Sequence, residues 1–321
     1  MEFPIELRNA IEKQVTGYQH SQLKKMAQDL SDRYRKESGR GKKLLTQDME
    51  AAVYAIVRMP ATFGAVSDTI QYVRELYQGE ITSLLDAGAG TGAATWAAAK
   101  QLPLEAVTCL EREGAMRRSG ETFMKEGPPV LRNAHWMNAD LTKVKLEVKA
   151  DLVLTSYVLN EMTEKDREVV LKNLWEAANK MLLIIEPGTP SGFLVLKKAR
   201  KMLLDWGAHI TAPCPHEEAC RLVADDWCHF TCRVQRSKQH KLLKDGDVPY
   251  EDEKYAYMAF VKEKADHVQS RILRHPYIDK GRVYLEICGR NENKAVYIRK
   301  KDGMLFKQAR KAKCGDGIDF G

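Results

Sequence analysis

The hydrophobic pattern changes character near residue 78. Residues 1–78 read as helical. After a basic loop, Gly39-Arg40-Gly41-Lys42-Lys43, a helix rich in small and apolar residues is expected from about Thr46 to Met59. It should stop before Pro60, because the residue preceding a proline is pushed out of the helical region. The next helix carries Phe63, Val66, Ile70, Val73 and Tyr77 at alternating spacings of three and four, an apolar seam for the adjoining core.

From residue 79 to about 205 the pattern becomes short, continuous apolar runs of the kind buried parallel strands require. Ile81, Leu84 and Leu85 mark the first and Ala106 to Glu111 the second; a third, short run precedes Asn138. Asp151 to Tyr157 and Met181 to Glu186 follow. Helical stretches lie between them, such as Ala93 to Lys100 and Glu161 to Lys180. This βαβ series predicts an α/β fold with a doubly wound sheet. A cysteine-rich segment occupies 206–250, and 251–321 supplies the last sheet strands and a small C-terminal β region. There Lys254 to Val261 and Arg282 to Ile287 read as strands, and Ala295 to Phe306 as a hairpin turned at Asp302-Gly303.

The junction of the first strand and its helix carries the first chemistry. In Leu84-Leu85-Asp86-Ala87-Gly88-Ala89-Gly90-Thr91-Gly92, three residues without Cβ allow a tight turn and close approach of a ligand. Gly88, Gly90 and Ala93 satisfy a dinucleotide fingerprint. Asp86, two residues before the first glycine, instead favours S-adenosylmethionine (SAM), because a carboxylate there can meet its cationic methionine end and would repel a pyrophosphate. Glu111 ends the second strand about 20 residues on, where a ribose diol is held. Asp140 follows the third run and offers a carboxylate to the adenine amino group. The expected sheet is therefore of the Rossmann-like SAM-methyltransferase kind.

Composition narrows the classes. The chain has 321 residues, room for roughly two domains. No uninterrupted apolar run reaches the roughly 18 residues of a membrane span. The N-terminal MEFPIELRNAIEKQ has no apolar signal core and mixes acids with bases, which predicts neither secretion nor import. The net charge of +7 is compatible with an RNA partner or a solvated basic surface.

Four of the seven cysteines cluster: Cys214, Cys220, Cys228 and Cys232. Without secretory features this reads as metal binding rather than a disulfide framework. The spacing lacks paired C-x-x-C knuckles, which weakens zinc; an iron–sulfur cluster takes four thiolates at varied spacing. Cys288, ending the Val283-to-Ile287 strand, competes with Cys232 as fourth ligand. His216 and His229 could ligate zinc, and free buried thiols are a further alternative. Pro213-Cys214 and Thr231-Cys232 echo the dipeptides of RNA cytosine-C5 methyltransferases, but both lie after the fifth strand rather than the fourth. The adenine-N6 signature, an Asn or Asp followed by two prolines and an aromatic, is also absent after the fourth strand. No catalytic residue is assigned.

Together these motifs resemble the methyltransferase-like proteins associated with the small ribosomal subunit of mitochondria and bacteria. The carriers are Ala51 to Phe63, the Asp86 to Gly92 turn, Glu186 to Phe193, Cys214-Pro215-His216, Trp227-Cys228-His229, Leu285 to Cys288 and Ala309 to Asp316. Cys314 stands where that family tends to have tryptophan. The resemblance implies a SAM-methyltransferase fold with a 4Fe-4S cluster on Cys214, Cys220, Cys228 and Cys288, leaving Cys232 outside. It also implies a role in small-subunit assembly or translation, with methyl transfer open. The short, charged N-terminus without an import signal points to a bacterial cytoplasmic member.

Three functions remain: an assembly factor on small-subunit RNA and protein, an active RNA methyltransferase with a structural zinc site, or a small-molecule methyltransferase. Basic stretches at Arg33 to Lys43, Lys197 to Lys201, Lys238 to Lys244 and Arg299 to Lys313 favour a phosphate-rich partner.

Overall fold

The structure, a computed structural model, describes residues 2–37, 45, 47–223, 226–244 and 248–320. The basic loop expected at 39–43 lies outside these residues. Three helices open the chain: α1 (Ile5–Gln14), α2 (His20–Glu37) and α3 (Asp48–Arg74). The Glu50 carboxylate starts α3 by accepting from the Gln47 backbone N–H at 3.1 Å, and pairs with Arg33 of α2 at 2.9 Å.

The break expected before Pro60 does not occur; α3 runs through it. A proline inside a helix removes one hydrogen bond and costs about 3 kcal/mol. Ala55, Ile56 and Met59 before it and Ala61, Phe63 and Val66 after it are all buried. One continuous helix keeps both halves of that apolar surface in the core, and this burial outweighs the lost bond.

The five parallel strands are β1 (Ser83–Ala87), β2 (Ala106–Leu110), β3 (His135–Met137), β4 (Ala150–Ser156) and β5 (Ala178–Pro187). Helices α4 (Ala93–Ala99), α5 (Gly114–Met124), α6 (Pro129–Arg132) and α7 (Glu164–Ala177) fall between them. After α8 (Pro190–Asp205) come β6 (His209–Ala212), β7 (Phe230–Gln235), α9 (Lys238–Lys244) and β8 (Tyr250–Val261). The sheet order is β3-β2-β1-β4-β5-β8-β6, with β7 also paired to β8. β8 runs antiparallel to β5, from Met181↔Val261 to Pro187↔Tyr255. β4, buried along almost its whole length, is apolar on both faces because helices cover both sides.

A second, antiparallel sheet closes the chain: β9 (Ser270–Ile272), β10 (Tyr277–Asp279), β11 (Arg282–Gly289), β12 (Asn293–Arg299) and, after α10 (Met304–Lys311), β13 (Gly317–Ile318). One face forms a small core of Ile272, Val283, Leu285, Ile287 and Ile298 against Phe306 and Ala309 of α10.

The hairpin expected at Asp302-Gly303 is displaced. The turn falls between β11 and β12 instead, where Gly289 N–H donates to the Glu292 carbonyl at 2.8 Å. Asp302 accepts from the Arg299 backbone N–H at 2.7 Å, forming a short 3-10 turn, and α10 begins directly after Gly303. Phe306 and Ala309 at helical spacing then reach the small core, which a returning strand would not allow.

Gly188 marks where the main sheet meets the cysteine segment. Its N–H donates to the Lys254 carbonyl at 2.9 Å, and its carbonyl accepts from the Trp227 indole at 3.0 Å. A Cβ here would stand 2.6 Å from the Tyr255 backbone nitrogen. Gly188→Ala should therefore lower unfolding free energy by about 1–3 kcal/mol, the usual cost of overpacking. Denaturant titration checks this; an unchanged midpoint would refute the close approach.

Candidate functional site

The glycine turn folds because its backbone needs positive φ: Gly88, Gly90 and Gly92 sit at 82°, 57° and 86°. Side chains rarely adopt this region, and a Cβ on Gly88 would also lie 2.5 Å from Val158. Above the turn opens a cleft of about 260 Å³, whose walls include Tyr54, Gly88, Gly90, Glu111, Asp140 and Glu161.

Glu111, just past β2, accepts from Gly90 N–H at 2.8 Å and Glu113 N–H at 2.7 Å, so it splints the turn while facing the cleft. Asp140 accepts from the Thr142 hydroxyl at 2.7 Å and the Thr142 N–H at 3.1 Å, and Lys143 lies 3.3 Å away. Despite partial burial, these contacts hold its carboxyl below the usual range.

Asp86 takes a different place. It is fully buried and is not among the cleft-lining residues. One carboxylate oxygen accepts from the Thr95 hydroxyl at 2.6 Å; the other has no partner. Burial pushes its pKa up to about 7. Asp86 thus ties β1 to α4 beneath the turn.

The negative character of the cleft instead comes from Glu111, Glu113, Asp140, Glu161 and Asp166, set against Arg112 and Lys143. Burial pushes Glu161 up to about 7, with Arg112 opposing and Glu113 and Glu111 reinforcing. An acid-lined cleft suits a sulfonium cation and repels a pyrophosphate.

Sequence reasoning did not find Glu161, Tyr157, Arg58 or Glu253. Tyr157, the first residue after β4, has φ 61°, uncommon for a side-chain-bearing residue. It is held there by its N–H to the Ile185 carbonyl at 2.8 Å and by its hydroxyl to Glu253 at 3.0 Å. Arg58 of α3 grips the same carboxylate at 3.1 and 3.4 Å. The one available signal was position, since Tyr157 to Glu161 directly follow the fourth strand, where an acceptor would be met.

The cysteines converge. Cys214, Cys220, Cys228 and Cys288 all line one small cavity of about 30 Å³, walled by Phe193, Leu222, Phe230, Tyr257 and Leu273. Cys232 does not line it; it is buried on β7, where a Cβ on Gly64 of α3 would stand 3.2 Å from its sulfur. His216 also borders the cavity, its Nε2 3.8 Å from the Cys288 sulfur. All seven cysteines are free thiols. Burial raises the pKa of Cys214 and Cys228, and pushes Cys288 up to about 12. Among the described residues, no three or more His, Cys, Asp or Glu side chains stand in a group that could hold a metal ion.

Two buried guanidiniums border this cavity. Arg271 donates to the carbonyls of Pro213 and Gly315, and Arg200 to that of His216 and to the Cys214 sulfur; each retains a buried nitrogen without a hydrogen-bond partner. Buried cations need a counter-charge. An anionic thiolate group among the cysteines would add to the counter-charge these guanidiniums meet.

The parallel sheet with its antiparallel strand beside β5, carrying this cleft on its first turn, places the chain in the SAM-methyltransferase-like α/β class. The chain belongs to the family described as mitochondrial small ribosomal subunit Rsm22, whose model matches residues 48–319. It is 26% identical over 287 residues to the human mitochondrial ribosome assembly protein METTL17, covering 82% of this chain and 61% of that one. The chain therefore spans under two thirds of that relative's length. An Rsm22-cox11 tandem protein of Schizosaccharomyces pombe, also mitochondrial, is 32% identical over 105 residues, 29% of this chain and 14% of that one.

Among solved structures, magnesium protoporphyrin IX methyltransferase from Synechocystis with bound SAM aligns at TM-score 0.42 and 14% identity, covering 73% of this chain and 91% of that one. A TehB-like SAM-dependent methyltransferase from Corynebacterium glutamicum aligns at TM-score 0.41 and 15% identity, covering 74% and 98%. The expected bacterial cytoplasmic location is corrected by these matches, because the family and the curated relatives are described as mitochondrial.

Glu161 gives the cleft a pH signature. Its carboxyl is protonated below about pH 7 and charged above it. Affinity for the sulfonium of SAM should rise by up to about tenfold from pH 6 to 8, following the ionised fraction. Calorimetry should find that rise weakened for S-adenosylhomocysteine, which lacks the sulfonium charge, and lost in Glu161→Gln. A flat wild-type profile would contradict the assignment.

Proposed function

We propose that the chain is a SAM-binding, methyltransferase-like protein of small-ribosomal-subunit assembly, with a 4Fe-4S cluster held by Cys214, Cys220, Cys228 and Cys288. The observation that carries the reading is the meeting of three cysteines of one segment with Cys288 of β11 at one cavity, beside two buried guanidiniums that each keep a nitrogen without a hydrogen-bond partner. Apolar walls around the thiols would keep water from a cluster, and thiolate ligation is the chemistry such a cluster takes. The ribosomal role rests on the family and on the relative described as a ribosome assembly protein.

A second reading, active methyl transfer, is favoured by Glu161, a cleft carboxyl pushed up to about 7 and so able to take a proton near neutrality. Neither Pro213-Cys214 nor Thr231-Cys232 lines the cofactor cleft, so neither supplies the nucleophile of a cytosine-C5 mechanism there.

Three measurements test the proposal. SAM and S-adenosylhomocysteine should bind in calorimetry and NAD should not. Anaerobic preparations should be brown, containing iron and acid-labile sulfide. Serine at 214, 220, 228 or 288 should bleach them, whereas Cys232→Ser should not. Zinc without iron would favour the structural-zinc alternative. The protein should co-sediment with small-subunit particles at moderate salt, and failure to do so would end the ribosomal reading. Loss of one ribosomal RNA methyl mark in cells lacking the protein, unrestored by Glu161→Gln, would promote the active enzyme.

A further inference from the structure

The second sheet is covered on one face by α10; its other face is covered by the cysteine segment at Cys288 and open around Tyr277 and Tyr297. Val283, Leu285, Ile287 and Ile298 point into the small core under α10. Residues between them in the alternation face outward. On that outward face three tyrosines stand in register across three strands: Tyr277 of β10 opposite Tyr284 of β11, and Tyr284 opposite Tyr297 of β12. The Tyr284 and Tyr297 rings lie 5.1 Å apart, tilted by 56°. Tyr277 and Tyr297 are 68% and 62% exposed, values at which a tyrosine gains nothing from burial in this fold.

The next row on the same face is Asp279, Arg282 and Arg299, again directly opposite one another. Arg282 is within 3.4 Å of Asp279, an exposed pair of little energetic weight. Exposed Lys280, Lys300 and Lys301 border the row. From residue 277 to 313 the chain holds eleven Lys or Arg against four Asp or Glu; cations therefore border the aromatic row on the Arg282 side, while on the other side Glu286 accepts from the Tyr284 hydroxyl at 3.3 Å.

Flat aromatic faces across adjacent strands, flanked by cations, match the chemistry of an unpaired nucleic-acid strand: bases stack on the rings and phosphates meet the arginines. A duplex offers no free base faces to such a row. We propose that this sheet face is a binding platform for single-stranded RNA, with Tyr277, Tyr284 and Tyr297 as the stacking row and Arg282 and Arg299 as the phosphate contacts. The proposal deepens the RNA-facing part of the reading above, but it is read out without cofactor, iron or ribosomal particle.

The test uses the full chain and a fluorescein-labelled oligouridine in fluorescence anisotropy. Wild type should bind the single strand more tightly than an RNA duplex of equal length. The double variant Tyr277→Ala/Tyr297→Ala should weaken binding by at least about tenfold, the scale of losing a base–aromatic stack. Tyr277→Phe/Tyr297→Phe should retain binding, which separates lost stacking from a damaged fold. Arg282→Gln/Arg299→Gln should flatten the salt dependence, since fewer counterions are released. Equal binding of duplex and single strand, unchanged affinity in the alanine variant, or no measurable binding by wild type would overturn the proposal. So would alanine variants that abolish self-association while leaving RNA affinity intact, because the face would then serve a second copy of this chain. Each of these failures leaves SAM binding and iron content untouched and so is distinguishable from failure of the proposed function.

Discussion

Both candidate sites hang on the pairing of β8 with β5. That antiparallel ladder runs from Met181↔Val261 to Pro187↔Tyr255 and places β8 beside the last parallel strand. β8 in turn binds β6 near its C-terminal end and β7 along its N-terminal half. Residues 213–229, which contain three of the four cavity cysteines, thus leave from one neighbour of β8 and return to the other. Anchoring both ends of a segment on one strand removes most of the chain entropy that would otherwise oppose a fixed arrangement of thiols.

Alternate residues of β8 also reach different parts of the molecule. Glu251 collects Arg236 and Lys244, each at 3.1 Å. Glu253 holds Arg58 and the strained Tyr157 at the edge of the acid-lined cleft. The Tyr255 hydroxyl donates to Asp68 of α3 at 2.6 Å, and Tyr257 walls the cysteine cavity. One strand therefore carries contacts to the N-terminal helices, to the cleft and to the cavity.

The two sites are electrostatic opposites. The cleft is lined mainly by carboxylates, and burial pushes Glu161 up to about 7, so that it changes charge near neutrality. The cysteine cavity is lined by Arg271 and backed by Arg200 against Cys214, 2% and 3% exposed, each with a buried nitrogen without a hydrogen-bond partner. Charges are rarely buried without an answer, so the first arrangement favours a cation and the second an anionic group.

The sequence by itself determined the α/β class, the glycine turn and the identity of the cleft residues Glu111 and Asp140. These depend on short-range signals: apolar runs of strand length, residues that tolerate positive φ, and acids at fixed distances along one βαβ unit. Its pattern was also sufficient to place strands at Lys254 to Val261 and Arg282 to Ile287. Spacing left Cys232 and Cys288 equivalent, because the choice depends on which strand ends face one cavity. Tertiary structure decided that, putting Cys288 of β11 at the cavity and Cys232 against α3. It also carried α3 through Pro60, since burial on both sides outweighs one lost bond, and made a helix after Gly303 where Phe306 and Ala309 could reach a core. Asp86 was legible as an acid before a turn, but only packing could bury it behind the cleft and leave the negative lining to Glu161 and its neighbours. Local preference fixes what each segment can be; which side chains meet is set by burial and charge compensation between segments far apart in the chain.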